Sequence, residues 1–321
     1  MQDACEQCGC CYCINSGYVI KRFVFTLFSL LGASLITIAQ LVCIPNHNTE
    51  TEDGFFNPEF IRLNKIKTVY GDISLKKTMQ PIKPLGLDIR YEFYSSGKLK
   101  NKYETYYKKN RIKDTLCVHY EYDEKGRRIS STKNDYFGFM ELSWEYDPDD
   151  NIISETYSRI DNEGNSKKNF SAGRRLIIRK ENYSYITNIA GQITKIFYNS
   201  SGKEYMRKLS IYNSIGNVTE ETKRLIVTNK RSKTTFKYDD FNRLSIKTEF
   251  SKMAGTDSTQ LFYSYDDIGN IEEERLVQNG KQISLIQFLY NKKTMLLDAK
   301  LEKDESNGDI TITRYHYDFT E

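Results

Sequence analysis

A cluster of cysteines near the start of the sequence is the first feature that could carry chemistry. Its members are Cys5, Cys8, Cys10, Cys11 and Cys13. Crowded thiolates bind zinc or copper. A structural zinc site normally draws on two separated ligand pairs, whereas this single cluster contains no histidine. The simpler interpretation is an upstream extension, translated from a start codon placed too early, and we assign no metal to it.

Five aspartates recur in similar settings, and such a ladder of carboxylates could bind calcium. They are Asp123, Asp147, Asp239, Asp266 and Asp318. Each follows a tyrosine and opens a turn signal, where an aspartate side chain bonds the backbone two residues further on. Turn formation therefore already explains these aspartates.

The three histidines give no sign of a catalytic arrangement. His47 lies in a polar linker, and His119 and His316 precede turn signals by similar steps, as a repeat would place them. No serine or cysteine occurs in a nucleophile motif, and the sequence has no phosphate-binding loop or HExxH motif. We predict no catalytic residue, no metal and no cofactor.

Composition indicates a folded protein. The 321 residues are 39% hydrophobic and 28% charged, and they include 24 tyrosines and 17 phenylalanines. This balance argues against disorder. A net charge of only +4 gives no reason to expect nucleic acid as a partner.

The least polar stretch covers residues 23–44 and follows Lys21-Arg22. A basic pair before an apolar run resembles a secretory signal, and Ala39 before Gln40 offers a small-residue cleavage site. The run is also long enough, at about 20 residues, to span a bilayer as an uncleaved anchor. Both alternatives stay open. Both place the rest of the chain outside the cytoplasm, either anchored to the membrane or released as a secreted or periplasmic protein.

A short turn motif repeats along most of the chain. Each copy has a tyrosine, then Asp or Asn, two variable residues and usually glycine. The Asp or Asn side chain bonds nearby backbone, and the glycine adopts the left-handed conformation that closes a hairpin. The predicted turn residues are Asp123, Gly126, Asp147, Asn199, Gly202, Asn213, Gly216, Asp239, Asp266 and Gly269.

Turn signals arrive about every 13 residues, and the segments between them alternate in polarity, as Leu116 and Val118 do with Cys117. This pattern is typical of a half-exposed antiparallel sheet. The long gap between Gly164 and Gly191 predicts one hidden turn near residues 180–182. The spacing predicts an all-β meander of roughly 16 to 18 strands, and twist makes a sheet of that size curl, split or close.

The YxYDxxG runs at residues 120–126 and 263–269 resemble the Rhs/YD-repeat family, and Tyr317-Asp318 begins a further copy. The resemblance covers about residues 88–321, with degenerate copies. It implies a long antiparallel sheet that spirals into a shell, as in bacterial toxin carriers and animal cell-surface proteins. This chain is short and lacks the carriers' core motif, self-cleaving aspartyl region and C-terminal toxin, so the resemblance implies only a partial shell.

The sequence divides into four parts. Residues 1–22 form the cysteine-rich extension, and residues 23–44 form an N-terminal hydrophobic helix that serves as signal peptide or membrane anchor. Residues 45–87 are a linker and a segment that covers the first edge strand. Residues 88–321 are the repeat domain, folded as a curled or spiralling sheet.

We expect a non-enzymatic, exported protein of the bacterial cell envelope that presents its sheet surface to a protein or glycan ligand. Tyr103, Tyr106 and Tyr107 are the candidate binding aromatics, since exposed tyrosines stack on sugars and occupy protein interfaces. The membrane is a further partner only if residues 23–44 stay uncleaved. The alternatives are a partial shell of a toxin-delivery system and a glycan-active enzyme with paired carboxylates.

Overall fold

The computed structural model describes Cys43 and residues 55–109, 111–134, 138–164, 171–251 and 257–320. One helix, α1 (Pro58–Leu63), precedes eighteen strands in these residues. The strands are β1 (Ile66–Lys76), β2 (Lys83–Phe93), β3 (Leu99–Tyr107), β4 (Lys113–Tyr122), β5 (Arg128–Asn134), β6 (Gly138–Tyr146), β7 (Ile152–Asn162), β8 (Ala172–Thr187), β9 (Ile193–Tyr198), β10 (Glu204–Tyr212), β11 (Val218–Leu225), β12 (Arg231–Tyr238), β13 (Leu244–Ser251), β14 (Asp257–Tyr265), β15 (Ile271–Gln278), β16 (Lys281–Tyr290), β17 (Leu297–Asp304) and β18 (Ile310–Phe319).

The predicted N-terminal parts fall almost entirely outside the described residues. Residues 1–22 and the helix expected over 23–44 are not described, apart from Cys43. Cys43 forms an isolated antiparallel bridge with Phe56, so the expected helix does not extend to this residue. In the part of the chain that the structure describes, no helix has the length and apolar character needed to cross a membrane.

The hairpin turns follow the chemistry of the repeated motif. The Oδ1 atom of Asp266 accepts hydrogen bonds from the backbone N–H groups of Ile268 and Asn270 at 3.1 and 2.7 Å. Gly269 has a φ of +97° between them. The same side-chain bonds occur at Asp123, Asp147, Asn199, Asn213 and Asp239, and positive φ values at Gly126, Gly202 and Gly216.

The sheet closes into a β-barrel, which corrects the expected curled or spiralling sheet. Consecutive strands pair antiparallel all along the chain, and β1 pairs with both β2 and β18. Thr320 N–H also donates to the Lys65 carbonyl across the closure. Closure satisfies the backbone groups that an edge strand would leave open. The segment expected to cover an edge therefore contributes two strands of the ring, and the sheet starts at Ile66, ahead of residue 88.

A hydrophobic core fills one end of the barrel. Phe56 makes edge-to-face ring contacts with Tyr91 and Phe93 of β2 and with Tyr315 of β18, at 5.1 to 6.1 Å. Phe55 stacks on Phe288 of β16 at 5.7 Å. The cluster continues over β1–β4 and β12–β18 and encloses α1. Because these side chains come from strands around much of the barrel and all contact one short helix, they point into the barrel. We call the face of the sheet that carries them the inner face, and the opposite face the outer face.

Most motif turns lie at the same end as this core. Hairpins alternate between the two ends of a meander, and the Asp-led turns join even-numbered strands to the next odd-numbered ones. We call this end the YD end. Gly97, in the turn between β2 and β3, lies against α1, the helix that fills this end of the barrel. A Cβ atom at Gly97 would be 1.8 Å from the Pro58 carbonyl oxygen.

A set of tyrosines, which we call the tyrosine ladder, ties neighbouring hairpins together at the YD end. Each lies at or near the end of an even-numbered strand and donates its hydroxyl to a carbonyl at the start of the preceding odd-numbered strand, at 2.6 to 3.0 Å. The donors are Tyr122, Tyr146, Tyr185, Tyr238, Tyr265, Tyr290 and Tyr317. Backbone pairing stops short of these carbonyls; between β13 and β14, for example, the last pair is Ile246 with Phe262. The ladder therefore satisfies acceptors that the sheet leaves open.

Candidate functional site

The three candidate binding tyrosines do not form one platform. Tyr103 and Tyr107 share one face of β3, and Tyr106 alternates to the other. Tyr103 lies on the Arg90 guanidinium at 5.5 Å, and burial raises its pKa to about 12. The exposed Tyr106 hydroxyl contacts Asp114 at 3.4 Å, and that of Tyr107 donates to a β2 carbonyl. Each of these tyrosines makes a different contact within the barrel wall, and the three do not form one binding surface.

The histidines are likewise apart. His119 on β4 shares a 2.7 Å hydrogen bond with the Asn101 side chain, and burial lowers its pKa. His316 on β18 is 3.2 Å from an Asp72 carboxylate oxygen. No group of three or more His, Cys, Asp or Glu within the described ranges could hold a metal ion.

The most unusual backbone in the barrel is the first half of β8. This strand has 16 residues and runs straight through residues 180–182, so the hidden turn predicted there is absent. Residues 172–182 pair with β7, but pairing with β9 begins only at Asn182. The β9–β10 hairpin is too short to continue the wall, and Ser200 in its turn accepts from Lys180 N–H at 3.4 Å and donates to Lys180 O at 3.0 Å. Within the described residues, 172–179 have no strand on their second side.

This edge is apolar as well as unpaired. Leu176, Ile177 and Ile178 are consecutive and are 58%, 60% and 53% exposed. Proteins normally shorten, charge or cover such an edge, because its open N–H and C=O groups accept another strand. A large exposed apolar patch likewise marks an interaction site. We call residues 172–179 the β8 edge.

A charged network holds the base of the β8 edge. Glu155 on β7 and Glu181 on β8 are directly opposite each other. Arg179 lies 3.4 Å from a carboxylate oxygen of each and so separates two like charges. Trp144 Nε1–H donates to Glu155 at 3.0 Å, and Tyr205 O–H donates to Glu181 at 2.7 Å. Burial, with the nearby Glu181 carboxylate, raises the pKa of Tyr205, so the phenol keeps its proton and remains a donor.

The outer side of the same hairpin is anchored in a similar way. Arg175 donates to the buried carboxylate of Glu141 at 2.9 Å. Burial raises the pKa of Glu141, and the guanidinium opposes that effect. On the opposite face, Arg174 contacts Asp161 at 3.4 Å. Both faces of the hairpin are thus fixed by ion pairs, while its edge stays open.

Comparison with known proteins gives only remote similarities. No family model matches the sequence, and no curated protein matches it. A porin-like protein from Bacteroides uniformis ATCC 8492 aligns with a TM-score of 0.38 and 11% identity, over 79% of this chain and 97% of that chain. A porin-like protein from Bacteroides vulgatus ATCC 8482 aligns with 0.27 and 10%, over 63% and 94%. A TcdB2-TccC3 structure aligns with 0.24 and 11%, over 75% of this chain and 19% of that one. These scores are too low to carry an argument about function.

Proposed function

We propose that this protein is an exported, non-enzymatic binding barrel of the bacterial cell envelope, and that its β8 edge takes up an extended segment of a partner protein. The observation that carries the proposal is the unpaired second side of residues 172–179. In strand addition, main-chain hydrogen bonds supply affinity and alternate side chains supply specificity. Export is supported by the apolar run at residues 23–44 behind a basic pair.

The chemistry of the edge favours a segment with an apolar centre and acidic flanks. Residues 174–180 read RRLIIRK and contain no acidic residue. The acids that contact these basic side chains belong to other positions of the barrel wall, and Arg174 is itself largely exposed. An incoming strand would place its apolar side chains beside Leu176 and Ile177 and its carboxylates beside the arginines.

Hydrogen exchange tests the open edge directly. Amides on the unpaired side of residues 172–179 should exchange fast in the free protein, whereas the amides that residues 182–187 direct at β9 should be protected. Protection of the whole of β8 in the free protein would show that the edge is already covered and would overturn the proposal.

Peptide binding tests the partner. A short fluorescent peptide with a central run of valines and glutamates at both ends should bind the full chain, and the same peptide with lysines in place of the glutamates should bind more weakly. Ile177→Asn should weaken binding of the acidic peptide about tenfold, or about 1.4 kcal/mol. Ile186→Asn is the matched control, because Ile186 is equally exposed on the same strand but lies where β9 already pairs.

Three results would contradict the proposal. The first is binding of the acidic peptide no tighter than that of the basic one, and the second is a loss of binding in Ile186→Asn as large as in Ile177→Asn. The third is a dimer in light scattering that Ile177→Asn abolishes, which would make a second copy of the chain the partner.

A further inference from the structure

A row of three arginines crosses the outer face at β10, β11 and β12. Arg207 is directly opposite Arg224, and Arg224 is directly opposite Arg231. Like charges in directly opposed positions destabilise a sheet. Of the three arginines, only Arg207 has an acidic partner, Glu204, at 2.6 Å. Arg224 and Arg231 make no ion pair among the described residues.

A cavity adjoins the end of this row. It has a volume of about 610 Å³ and is lined by Arg231, Lys230, Lys233 and Phe250, among others. Thr222, Lys233 and Phe250 form the next row of opposed residues across β11, β12 and β13. Glu220 contacts Lys233 at 2.8 Å, and Phe250 is half-exposed at the cavity wall. Basic side chains therefore surround an opening that also has an aromatic wall.

We infer that this cavity binds a phosphate-bearing ligand. The planar guanidinium group of an arginine can donate two parallel hydrogen bonds to one phosphate group, and this geometry makes arginine well suited to bind phosphate. A bound dianion would also remove the repulsion that the arginine row carries in the free protein. The Phe250 ring gives the rest of the ligand an apolar surface. This site is separate from the β8 edge and does not depend on the function proposed for that edge.

Binding of phenyl phosphate tests the inference, because this probe has both a phosphate and an aromatic ring. The full chain should bind it more tightly than inorganic phosphate. Arg231→Gln should weaken binding about tenfold or more, the loss expected for one charge-assisted contact, whereas Arg224→Gln should weaken it less, because Arg224 lies beside Arg231 in the row and outside the cavity lining. Arg275→Gln is the matched control. Arg275 lies on β15 and also faces outward, but it is paired with Glu273 at 3.3 Å.

Melting temperature supplies a second measurement that separates ligand binding from folding. Without phosphate, Arg231→Gln should melt at the same temperature as the parent protein or higher, because it relieves the repulsion with Arg224. With phenyl phosphate, the parent should gain stability and the variant should not. Variants that melt lower without ligand but retain the phosphate-induced shift would overturn the inference.

Vesicles identify the source of the phosphate group. Phosphatidylcholine vesicles with and without phosphatidic acid are compared for binding of the full chain. Selective binding to phosphatidic acid that phenyl phosphate inhibits indicates a lipid headgroup, whereas binding of phenyl phosphate alone indicates a soluble phosphate ester. Binding of neither, or equal losses in Arg231→Gln and Arg275→Gln, would refute the site.

Discussion

The tyrosine ladder makes a quantitative prediction at Tyr265. Its hydroxyl donates to the Leu244 carbonyl at 2.6 Å, and Leu244 is fully buried. Tyr265→Phe keeps the ring and removes only the donor. A buried acceptor left without a partner costs about 1–3 kcal/mol, so the free energy of unfolding should fall by about 1.5 kcal/mol.

Tyr212 provides a matched control within the same repeat. It occupies the same place, at the end of β10 before the Asn213 turn, but its hydroxyl makes no hydrogen bond among the described residues. The reason is structural: pairing between β9 and β10 runs as far as Ile193, the first residue of β9, and leaves no open carbonyl. Tyr212→Phe should therefore change stability by less than about 0.5 kcal/mol.

Urea denaturation of the two variants and the parent checks this difference. The midpoint should fall for Tyr265→Phe while the slope stays constant, because the surface exposed on unfolding is the same. Equal midpoints for Tyr265→Phe and Tyr212→Phe would refute the reasoning that the ladder satisfies open carbonyls. The tyrosines would then stabilise the YD end through ring packing alone.

Three further predictions follow from the same structure. Gly97→Ala should destabilise the protein more than Gly202→Ala does. Both positions have a left-handed φ, which costs about 1–2 kcal/mol in alanine, but only at Gly97 would the Cβ atom collide with α1. Faster hydrogen exchange of residues 55–63 in Gly97→Ala would show that α1 is released. Arg179→Met should lower stability at pH 7 by less than about 1 kcal/mol, since Arg179 is half-exposed, and adding Glu181→Gln should restore part of the loss by removing the repulsion with Glu155. Alkaline unfolding should be cooperative, because burial raises the pKa of the ladder tyrosines in the folded protein. Their contribution to the free energy of unfolding is complete below the unfolded pKa of about 10 and is lost above it. Tyrosinate absorbance should therefore appear together with the loss of β-sheet circular dichroism.

Local chemistry explains why the number and direction of the strands could be predicted. An Asp-led turn such as that of Asp239, with Asn242 at a φ of +60°, is decided within five residues and needs no distant contact. Alternation between turns then defines each strand and its two faces. The eighteen antiparallel strands of the barrel agree with that prediction.

Closure depends on contacts that no local pattern reveals. The Thr320 side chain donates to the Lys65 carbonyl across a sequence separation of 255 residues. The apolar residues expected to cover an edge, including Phe56 and Ile61, instead lie inside the barrel. A residue that covers an edge and one that fills a lumen have the same apolar character, so composition cannot distinguish them.

The β8 edge shows what a break in a repeat can mean. The gap between Gly164 and Gly191 is the one interval about twice the usual length, and it predicts a hidden turn. Lys180-Glu181-Asn182 contains no glycine, however, and the strand continues through it because β7 pairs with all three residues and β9 pairs with Asn182. A repeat unit that omits its turn makes a hairpin longer than the next one, and the excess length has no partner. The missing turn is therefore itself the sequence signal for an open strand edge, and an interval of double length in a hairpin repeat predicts a projecting hairpin when no turn-forming residue lies at its centre.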